Sequence, residues 1–224
     1  MEVLKAVNLT KIYGKGENQV RALDGVSLSV EQGQFAAVVG TSGSGKSTLL
    51  HMLGGLDRPD EGKVYVDGKD IFSLKEEALT IFRRRKIGFV FQSYNLSVYE
   101  NVALPVELDG KKADRAFIEE ILDTLGILQK ARSLPGQLSG GQQQRAAIAR
   151  ALASRPSILL CDEPTGNLDS RTSQDVLGLL KLSGQKFGQT IVMITHNEEI
   201  AQMADRIIRI EDGRILSSRG RREA

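Results

Sequence analysis

The chain has 224 residues, enough for one substantial hydrophobic core with a smaller lobe attached. An apolar content of 41% and a charged content of 26% are ordinary for a soluble globular domain. The formal net charge is +2, from 30 Lys and Arg against 28 Asp and Glu, which gives no case for nucleic acid as a partner.

Cysteine usage and hydropathy exclude further classes. The chain has a single cysteine, Cys161, which excludes an internal disulfide and fits a reducing compartment. Because Cys161 lies in an apolar run, we expect it to be a small side chain of the core. Residues 1–9 alternate polar and apolar side chains and lack the apolar segment of a secretory signal. The longest apolar runs, such as residues 191–194, are strand-sized, whereas a membrane span needs ~20 apolar residues.

The N-terminal part of the chain predicts antiparallel strands. Residues 1–30 alternate polar and apolar side chains around a glycine-containing turn at residues 14–18, and residues 64–66 continue the pattern. Three stronger apolar runs are typical of buried parallel strands: residues 35–39, 158–161 and 190–194. Helical runs over residues 170–186 and 197–204 alternate with them, which favours α/β layering.

A phosphate-binding loop follows the first of these strands and opens a helix-compatible run over residues 47–53. It fits the pattern G-x-x-x-x-G-K-[ST] through Gly40, Thr41, Ser42, Gly43, Ser44, Gly45, Lys46 and Ser47, with Thr48 next in the chain. Glycines let backbone N–H groups surround phosphate oxygens, and the helix N-terminus favours negative charge. Lys46 can reach the β- and γ-phosphates, and the Ser47 hydroxyl can bind Mg²⁺. Alone, the loop could also belong to a P-loop kinase or GTPase.

The strand signal disappears over residues 98–156, which we interpret as a helical lobe inserted into the α/β core. Residues 111–125 have helical apolar spacing, and residues 140–153 form a second predicted helix. The second helix begins at a glycine pair, so its backbone N–H groups point at an anion. The motif at its start comprises Leu138, Ser139, Gly140, Gly141 and Gln142. The whole chain is then one domain, with residues 1–97 and 157–216 as core and residues 217–224 as a polar tail.

Several polar side chains follow predicted strands. Asp162 and Glu163 end one apolar strand, and His196 follows another. Gln92 follows a further strand-like run over residues 87–91. A carboxylate pair at a strand end is often only a solvated terminus, but here Pro164 and an Asn-Leu-Asp phrase come next, which favours a catalytic role. The basic run 83–86 is typical of a solvated helix face, with contact to lipid headgroups or a partner as the alternative.

Together the phosphate loop and the Leu-Ser-Gly-Gly-Gln motif resemble the ATP-binding cassette (ABC) family over nearly the whole chain. The resemblance implies a P-loop NTPase core with a mixed, mainly parallel sheet, flanking helices and an antiparallel β subdomain, and an inserted α-helical subdomain. It implies these roles: Asp162 in the Mg²⁺ shell, Glu163 as the general base, His196 on the γ-phosphate, Gln92 as a metal and phosphate reporter, Asp169 in a loop that signals across a dimer, and Tyr13 stacked on adenine.

The resemblance also implies a homodimer, in which Ser139 and Gly141 of one copy contact the ATP that the other copy holds. Phrases such as residues 91–96 and 162–169 look like those of the macrolide-exporter, lipoprotein-release and antimicrobial-peptide-resistance ATPases. That branch implies a cytoplasmic ATPase, bound to the inner face of the membrane through a separate permease. A nucleotide-gated regulator of cell-wall hydrolases, without transport, has the same motifs and stays an alternative.

One departure from that branch follows Leu96, which runs directly into Ser97 without the short apolar stretch usual there. Losing a few residues shortens the reach of this loop by roughly 10 Å at about 3.5 Å per residue. Because the loop contacts the membrane partner in the family, the shortening affects the expected coupling and not ATP binding. It is either a real deletion or an error in the sequence, and the intact mass of the purified protein decides between them.

Overall fold

The computed structural model describes residues 1–90 and 96–220, in which the strands form two sheets. The strands are β1 (Glu2–Tyr13), β2 (Val20–Glu31), β3 (Phe35–Val39), β4 (Glu61–Val66), β5 (Lys69–Asp70), β6 (Ile87–Val90), β7 (Ile158–Asp162), β8 (Thr190–Thr195), β9 (Arg206–Glu211) and β10 (Arg214–Gly220). The helices are α1 (Lys46–Leu53), α2 (Glu76–Lys86), α3 (Val98–Leu108), α4 (Arg115–Thr124), α5 (Gly140–Ala153), α6 (Ser170–Phe187) and α7 (Glu198–Ala201).

The smaller sheet is antiparallel, with strand order β2-β1-β4-β5. It is built from the alternating N-terminal segment, whose apolar side chains Leu4, Ala6 and Leu9 are buried. They pack in one core with α1, α2 and one face of the larger sheet. The predicted antiparallel region is therefore present, and β4 begins three residues before the predicted residues 64–66.

The larger sheet has the order β10-β9-β3-β8-β7-β6, and all of its neighbouring strands are parallel except β10 against β9. Both faces of its central strands are covered. In β3, Phe35, Ala37 and Val39 belong to the core on one side of the sheet, and Ala36 and Val38 belong to the core on the other. This double burial explains the uninterrupted apolar runs. The carboxyl ends of the parallel strands share one edge, which is where ligands bind in open α/β sheets.

Residues 98–156 contain α3, α4 and α5, as well as short 3₁₀ turns, and no strand. The predicted helix over residues 111–125 begins later than expected, at Arg115. Asp114 is its N-cap and accepts a hydrogen bond from the Phe117 backbone N–H at 3.2 Å, so the four preceding residues stay outside the helix. The predicted helix 197–204 is also shorter, because Asn197 caps α7 from outside it. The division of the chain into core and lobe stays a prediction.

The predicted tail is wrong for Ser217–Gly220. Ser217, Ser218 and Arg219 pair with β9 as part of β10, so backbone hydrogen bonds to the neighbouring strand order a segment whose side chains are mostly polar. Residues 221–224 lie outside the described part. Among the helices of the described residues, none is long and apolar enough to cross a membrane.

Candidate nucleotide-binding and catalytic site

The phosphate loop connects β3 to α1 at the carboxyl edge of the larger sheet. Gly45 is the N-cap of α1, with φ 100°, and it provides no side chain for the first turn of the helix. Within the described chain, the helix start has no side-chain cap, so its backbone N–H groups are left for an external acceptor. An oxyanion such as a phosphate fits this position, because the helix dipole adds favourable charge there.

Two glycines of the loop have no room for a side chain. A Cβ at Gly40 would lie 2.2 Å from the Ile210 backbone oxygen, and a Cβ at Gly45 would lie 2.3 Å from that of Ala22. These contacts bring β9 and β2 against the loop. The glycine spacing therefore allows close backbone packing as well as phosphate binding.

Lys46 lies inside the loop and only 6% of its surface is exposed. Its Nζ donates hydrogen bonds to the Gly40 and Thr41 carbonyl oxygens, at 2.8 and 2.7 Å. The ammonium group is therefore held where phosphate oxygens would arrive. The loop faces a cavity of about 680 Å³, which is lined by Val20, Arg21, Ala22, Ser42, Gly43, Gly45, Lys46, Ser47, Thr48, Glu163, His196, Asp212 and Gly213.

The Ser47 hydroxyl and the Asp162 carboxylate, predicted to share a metal, are brought together in the structure. Burial raises the pKa of Asp162, and the neighbouring Glu163 carboxylate adds to this, whereas the nearby His51 and Lys46 and the hydrogen bond with Ser47 oppose it. A hydroxyl next to a carboxylate is a hard oxygen donor set that suits Mg²⁺. The described residues contain no group of three or more acidic, histidine or cysteine side chains that could hold a metal ion by themselves. The donor set therefore fits an ion that takes most of its ligands from phosphates and water.

Glu163 and His196 form a pair at the wall of the cavity. His196 Nδ1 lies 3.0 Å from Glu163 Oε1. The histidine tautomer with its hydrogen on Nδ1 can donate to this carboxylate oxygen, and it leaves Nε2 for another group. Glu163 has a positive φ of 42°, and its N–H donates to the Ile194 carbonyl at 3.1 Å. Strained backbone of this kind concentrates at functional sites.

The Leu-Ser-Gly-Gly-Gln turn lies elsewhere and contributes no residue to the cavity wall described above. Ser139 caps α5: its Oγ accepts from the Gln142 N–H at 3.4 Å, and its N–H donates to Gln142 Oε1 at 3.0 Å. A Cβ at Gly140 would lie 3.0 Å from Leu168, and one at Gly141 would lie 2.6 Å from Thr172. The turn therefore packs on the segment that contains Asp169.

Asp169 is the N-cap of α6. Its carboxylate accepts from the Thr172 N–H at 3.0 Å and from the Thr172 hydroxyl at 2.6 Å, and these bonds lower its pKa. Tyr13, the predicted adenine contact, is 42% exposed at the end of β1. Its phenol is within hydrogen-bonding reach of Thr48, which lines the cavity. Gln92 lies outside the described residues.

The sequence reasoning missed two walls of the cavity. One comprises Val20, Arg21 and Ala22 of β2. The other is the turn between β9 and β10, where Asp212 and Gly213 both have positive φ. Gly213 N–H donates to the Ser44 carbonyl at 3.1 Å, which ties the turn to the phosphate loop. An Asp-Gly pair is a hairpin-turn signal and could have located this wall.

Three features lie together at the carboxyl edge of the mainly parallel sheet: a phosphate loop, an adjacent hydroxyl–carboxylate pair and a glutamate–histidine pair. Together they define a P-loop nucleotide-binding ATPase. Residues 23–166 match the ABC transporter family. The chain belongs to this family, which confirms the resemblance and the predicted fold class. It is an ATP-binding, ATP-hydrolysing subunit of the ABC transporter type.

Individual relatives agree with the predicted branch. The lipoprotein-releasing system ATP-binding protein LolD of Geobacter metallireducens is 47% identical over 221 residues, covering 96% of this chain and 98% of that protein. The macrolide export ATP-binding/permease protein MacB of Hyphomonas neptunium is 45% identical over 228 residues, covering 99% of this chain but 35% of that protein. The chain thus spans about a third of the length of this second relative.

A solved structure has the same fold. It is a dimeric, post-hydrolysis state of the ATP-binding cassette MJ0796 bound to ADP and Pi, and it is 42% identical. The TM-score is 0.85, with 97% of this chain and 98% of that chain covered.

Proposed function

We propose that two copies of this chain close head to tail around two ATP molecules, and that hydrolysis reopens the dimer. The observation that carries the proposal is the position of the Leu-Ser-Gly-Gly-Gln turn. Within one copy, this turn forms the start of α5, and none of its residues lines the cavity that contains Lys46 and Glu163. A second copy can bring its own Ser139 and Gly141 to that cavity. The MJ0796 cassette has been seen as a dimer with ADP and Pi, which supports this arrangement.

In the proposed reaction, Glu163 accepts a proton from the water that attacks the γ-phosphorus. The bond from that phosphorus to the β–γ bridging oxygen breaks, so that ADP leaves and inorganic phosphate is formed. His196 holds the carboxylate through its 3.0 Å contact and presents Nε2 to the γ-phosphate. General-base catalysis typically contributes ~10²–10⁴ in rate, so Glu163→Gln should lower turnover far more than ATP affinity. Ser47, Asp162 and the predicted ligand Gln92 would hold Mg²⁺, which neutralises phosphate charge when bound. Lys46 compensates further charge on the phosphates.

Light scattering at saturating Mg-ATP tests the dimer. Glu163→Gln should accumulate as a dimer, because it binds ATP without removing the γ-phosphate. The double variant Glu163→Gln/Ser139→Arg should stay monomeric, since a bulky cation at the helix start blocks approach of the partner. Glu61→Gln, an exposed carboxylate on β4, is the matched control and should behave as wild type. A monomeric Glu163→Gln protein, with ATP bound, would count against the sandwich.

We also propose a separate transmembrane permease as partner, with this subunit held at the cytoplasmic face of the cell membrane. Support comes from the MacB relative, whose name joins an ATP-binding part to a permease and of which this chain spans about a third. The structure offers a groove of about 240 Å³ among α2, α3, α4 and the end of α5. Pro105, Val106 and Phe117 give it apolar lining, and its five basic side chains outnumber its two carboxylates. An acidic segment with an apolar side chain suits this groove.

Co-purification with a candidate permease, co-expressed with this chain, tests the proposed partner. Arg84→Glu reverses the charge of one residue that lines the groove and should reduce the amount of complex recovered. Lys15→Glu changes an exposed residue between β1 and β2 that does not line the groove, and it should leave the recovery unchanged. Flux measured in vesicles that contain the full complex then separates transport from regulation. ATP-dependent substrate movement supports a transporter, and ATP cycling without it supports the regulatory alternative.

A further inference from the structure

The nucleotide cavity has a neighbour that the proposed reaction does not use, a hydrogen-bonded cluster around Tyr13. The Tyr13 hydroxyl donates to Asp57 Oδ2 at 2.6 Å, across 44 residues of sequence. Asp57 comes from the loop that follows α1, and Tyr13 from the end of β1. The ring is 42% exposed, so this contact is not a by-product of burial in the core. It fixes the direction of an aromatic side chain that is partly exposed.

Lys11 completes the cluster. Its Nζ donates to Asp57 Oδ1 at 3.0 Å and to the Arg58 carbonyl at 2.7 Å. The same ammonium group lies 5.3 Å from the centroid of the Tyr13 ring, a cation–π distance. Lys11 therefore compensates the carboxylate charge and supports one side of the ring. The second oxygen of Asp57 is then left to hold the phenol.

The protonation states agree with this geometry. Burial raises the pKa of the Asp57 carboxyl, but the hydrogen bonds from Tyr13 and Lys11 outweigh it and leave that pKa below its usual value. Burial and the bond to Asp57 raise the pKa of the Tyr13 phenol. At neutral pH the carboxylate is therefore an acceptor and the phenol a donor, as the contact requires.

The loop that carries Asp57 is attached to the phosphate-loop helix. Leu56 N–H donates to the His51 carbonyl at 2.8 Å, and Asp57 N–H approaches the same oxygen at 3.4 Å. The helix that begins at Lys46 thus ends in the segment that holds the tyrosine. On the other side, Asp60 Oδ2 accepts from the Ile12 N–H at 2.6 Å and fastens the loop to β1. The distance between the phosphate loop and the ring is therefore fixed by bonded contacts.

We propose that Asp57 is a positioning residue for the nucleotide base, because it holds the ring of Tyr13 at the height above the phosphate loop where adenine stacks. The proposal rests on the adenine-stacking role of Tyr13, which belongs to the proposed function. A free tyrosine would have to be ordered when ATP binds, and ordering a side chain lowers affinity. Asp57 removes that cost before the nucleotide arrives, without touching the phosphates.

The test compares Mg-ATP with inorganic tripolyphosphate, which lacks a base, in binding titrations of the full chain. Asp57→Ala should weaken ATP binding roughly 3- to 10-fold, the range for one lost hydrogen bond, and should leave tripolyphosphate binding unchanged. Asp57→Asn keeps one acceptor for the phenol and should lose less. Glu61→Ala, an exposed carboxylate a few residues away, should match wild type. Equal weakening of both ligands by Asp57→Ala would overturn the proposal, because it would mean that the phosphate loop itself had moved.

A double-mutant cycle separates positioning from general stability. Tyr13→Phe removes only the hydroxyl and should weaken ATP binding as much as Asp57→Ala does; it also serves if Asp57→Ala folds poorly. The double variant should lose less ATP affinity than the product of the two single losses, since both variants remove the bond between Tyr13 and Asp57. Multiplicative losses would overturn the proposal.

Tyr13→Ala distinguishes failure of this inference from failure of the adenine assignment. If Tyr13→Ala binds ATP as wild type does, the stacking role and the positioning role both fail. If it weakens ATP selectively while Tyr13→Phe and Asp57→Ala do not, only the positioning role fails.

Discussion

Two glycines of the phosphate loop make a controlled pair for one prediction. Gly43 and Gly45 have positive φ values of 79° and 100°, so alanine is strained at either position. A Cβ at Gly43 meets nothing within 4 Å, whereas a Cβ at Gly45 lies 2.3 Å from the Ala22 backbone oxygen. Because that oxygen belongs to the backbone of β2, no rotamer change relieves the overlap. The two substitutions therefore differ in the steric contacts that a side chain at position 45 makes with Ala22 and Leu23 of β2.

The magnitude follows from the two contributions. A residue held in a disfavoured backbone region costs about 1–3 kcal/mol, which applies to both variants. Forcing atoms into occupied space adds about 1–3 kcal/mol, which applies to Gly45→Ala alone. At about 2–4 °C per kcal/mol for a chain of this size, Gly45→Ala should unfold about 2–12 °C below Gly43→Ala.

Thermal unfolding followed by circular dichroism without nucleotide measures this difference, since a bound phosphate would add contacts of its own. Wild type gives the reference midpoint, and Gly188→Ala, with φ 63° and open space, gives the strain-only value at the end of a helix. If Gly43→Ala and Gly45→Ala unfold at the same temperature, the packing of β2 against the loop is not what requires glycine at position 45.

Three further predictions concern Lys46, Cys161 and Asp67. Lys46→Ala should lower ATP affinity at least roughly tenfold, as expected for a lost charge-assisted hydrogen bond. The control Lys15→Ala should leave ATP affinity unchanged. If Lys46→Ala binds ATP as wild type does in titration calorimetry, the phosphate-loop assignment is overturned. Cys161 is fully buried and burial raises its pKa to about 12, so a thiol reagent at pH 8 should label it only after unfolding; rapid labelling of the native protein would contradict this. Burial raises the pKa of Asp67, but hydrogen bonds from Lys86 and Ser157 outweigh it and leave that pKa lowered. The stability that Asp67 contributes is therefore present above its pKa in the unfolded chain and is lost as pH falls through its pKa in the folded chain. The difference in urea midpoint between wild type and Asp67→Asn should shrink below pH ~4. A difference that stays constant with pH would refute this prediction.

The sequence predicted the elements whose signal is local. The apolar run of β3 and the phosphate loop after it agree with the structure, because burial on both faces leaves an uninterrupted apolar pattern. The start of α4 was also within reach, since Asp114 precedes a helical pattern and is a preferred N-cap residue. The roles of Glu163, His196 and the other candidate site residues stay predictions.

The parts that sequence could not supply depend on contacts between distant segments. β10 has mostly polar side chains and is ordered by its hydrogen bonds to β9, so its own residues give little strand signal. The cavity wall from β2 is similar, because residues 20–22 line it only after the antiparallel sheet packs against the phosphate loop. The contact of Tyr13 with Asp57 spans 44 positions and has no local pattern at all.

The loop between β7 and α6 joins the nucleotide cavity to the Leu-Ser-Gly-Gly-Gln turn within one chain. At one end Glu163 faces the nucleotide cavity of its own chain, and at the other end Asp169 caps α6 beside the Leu-Ser-Gly-Gly-Gln turn. Two backbone bonds stiffen the loop, from Gly166 N–H to the Glu163 carbonyl at 3.0 Å and from Leu168 N–H to the Thr165 carbonyl at 3.0 Å. Leu168 also lies where a side chain on Gly140 would be, 3.0 Å from its Cβ position. In the proposed dimer, we expect a shift of the turn toward a partner's ATP to move the loop that holds Glu163 through this contact with Leu168, which would couple the two sites.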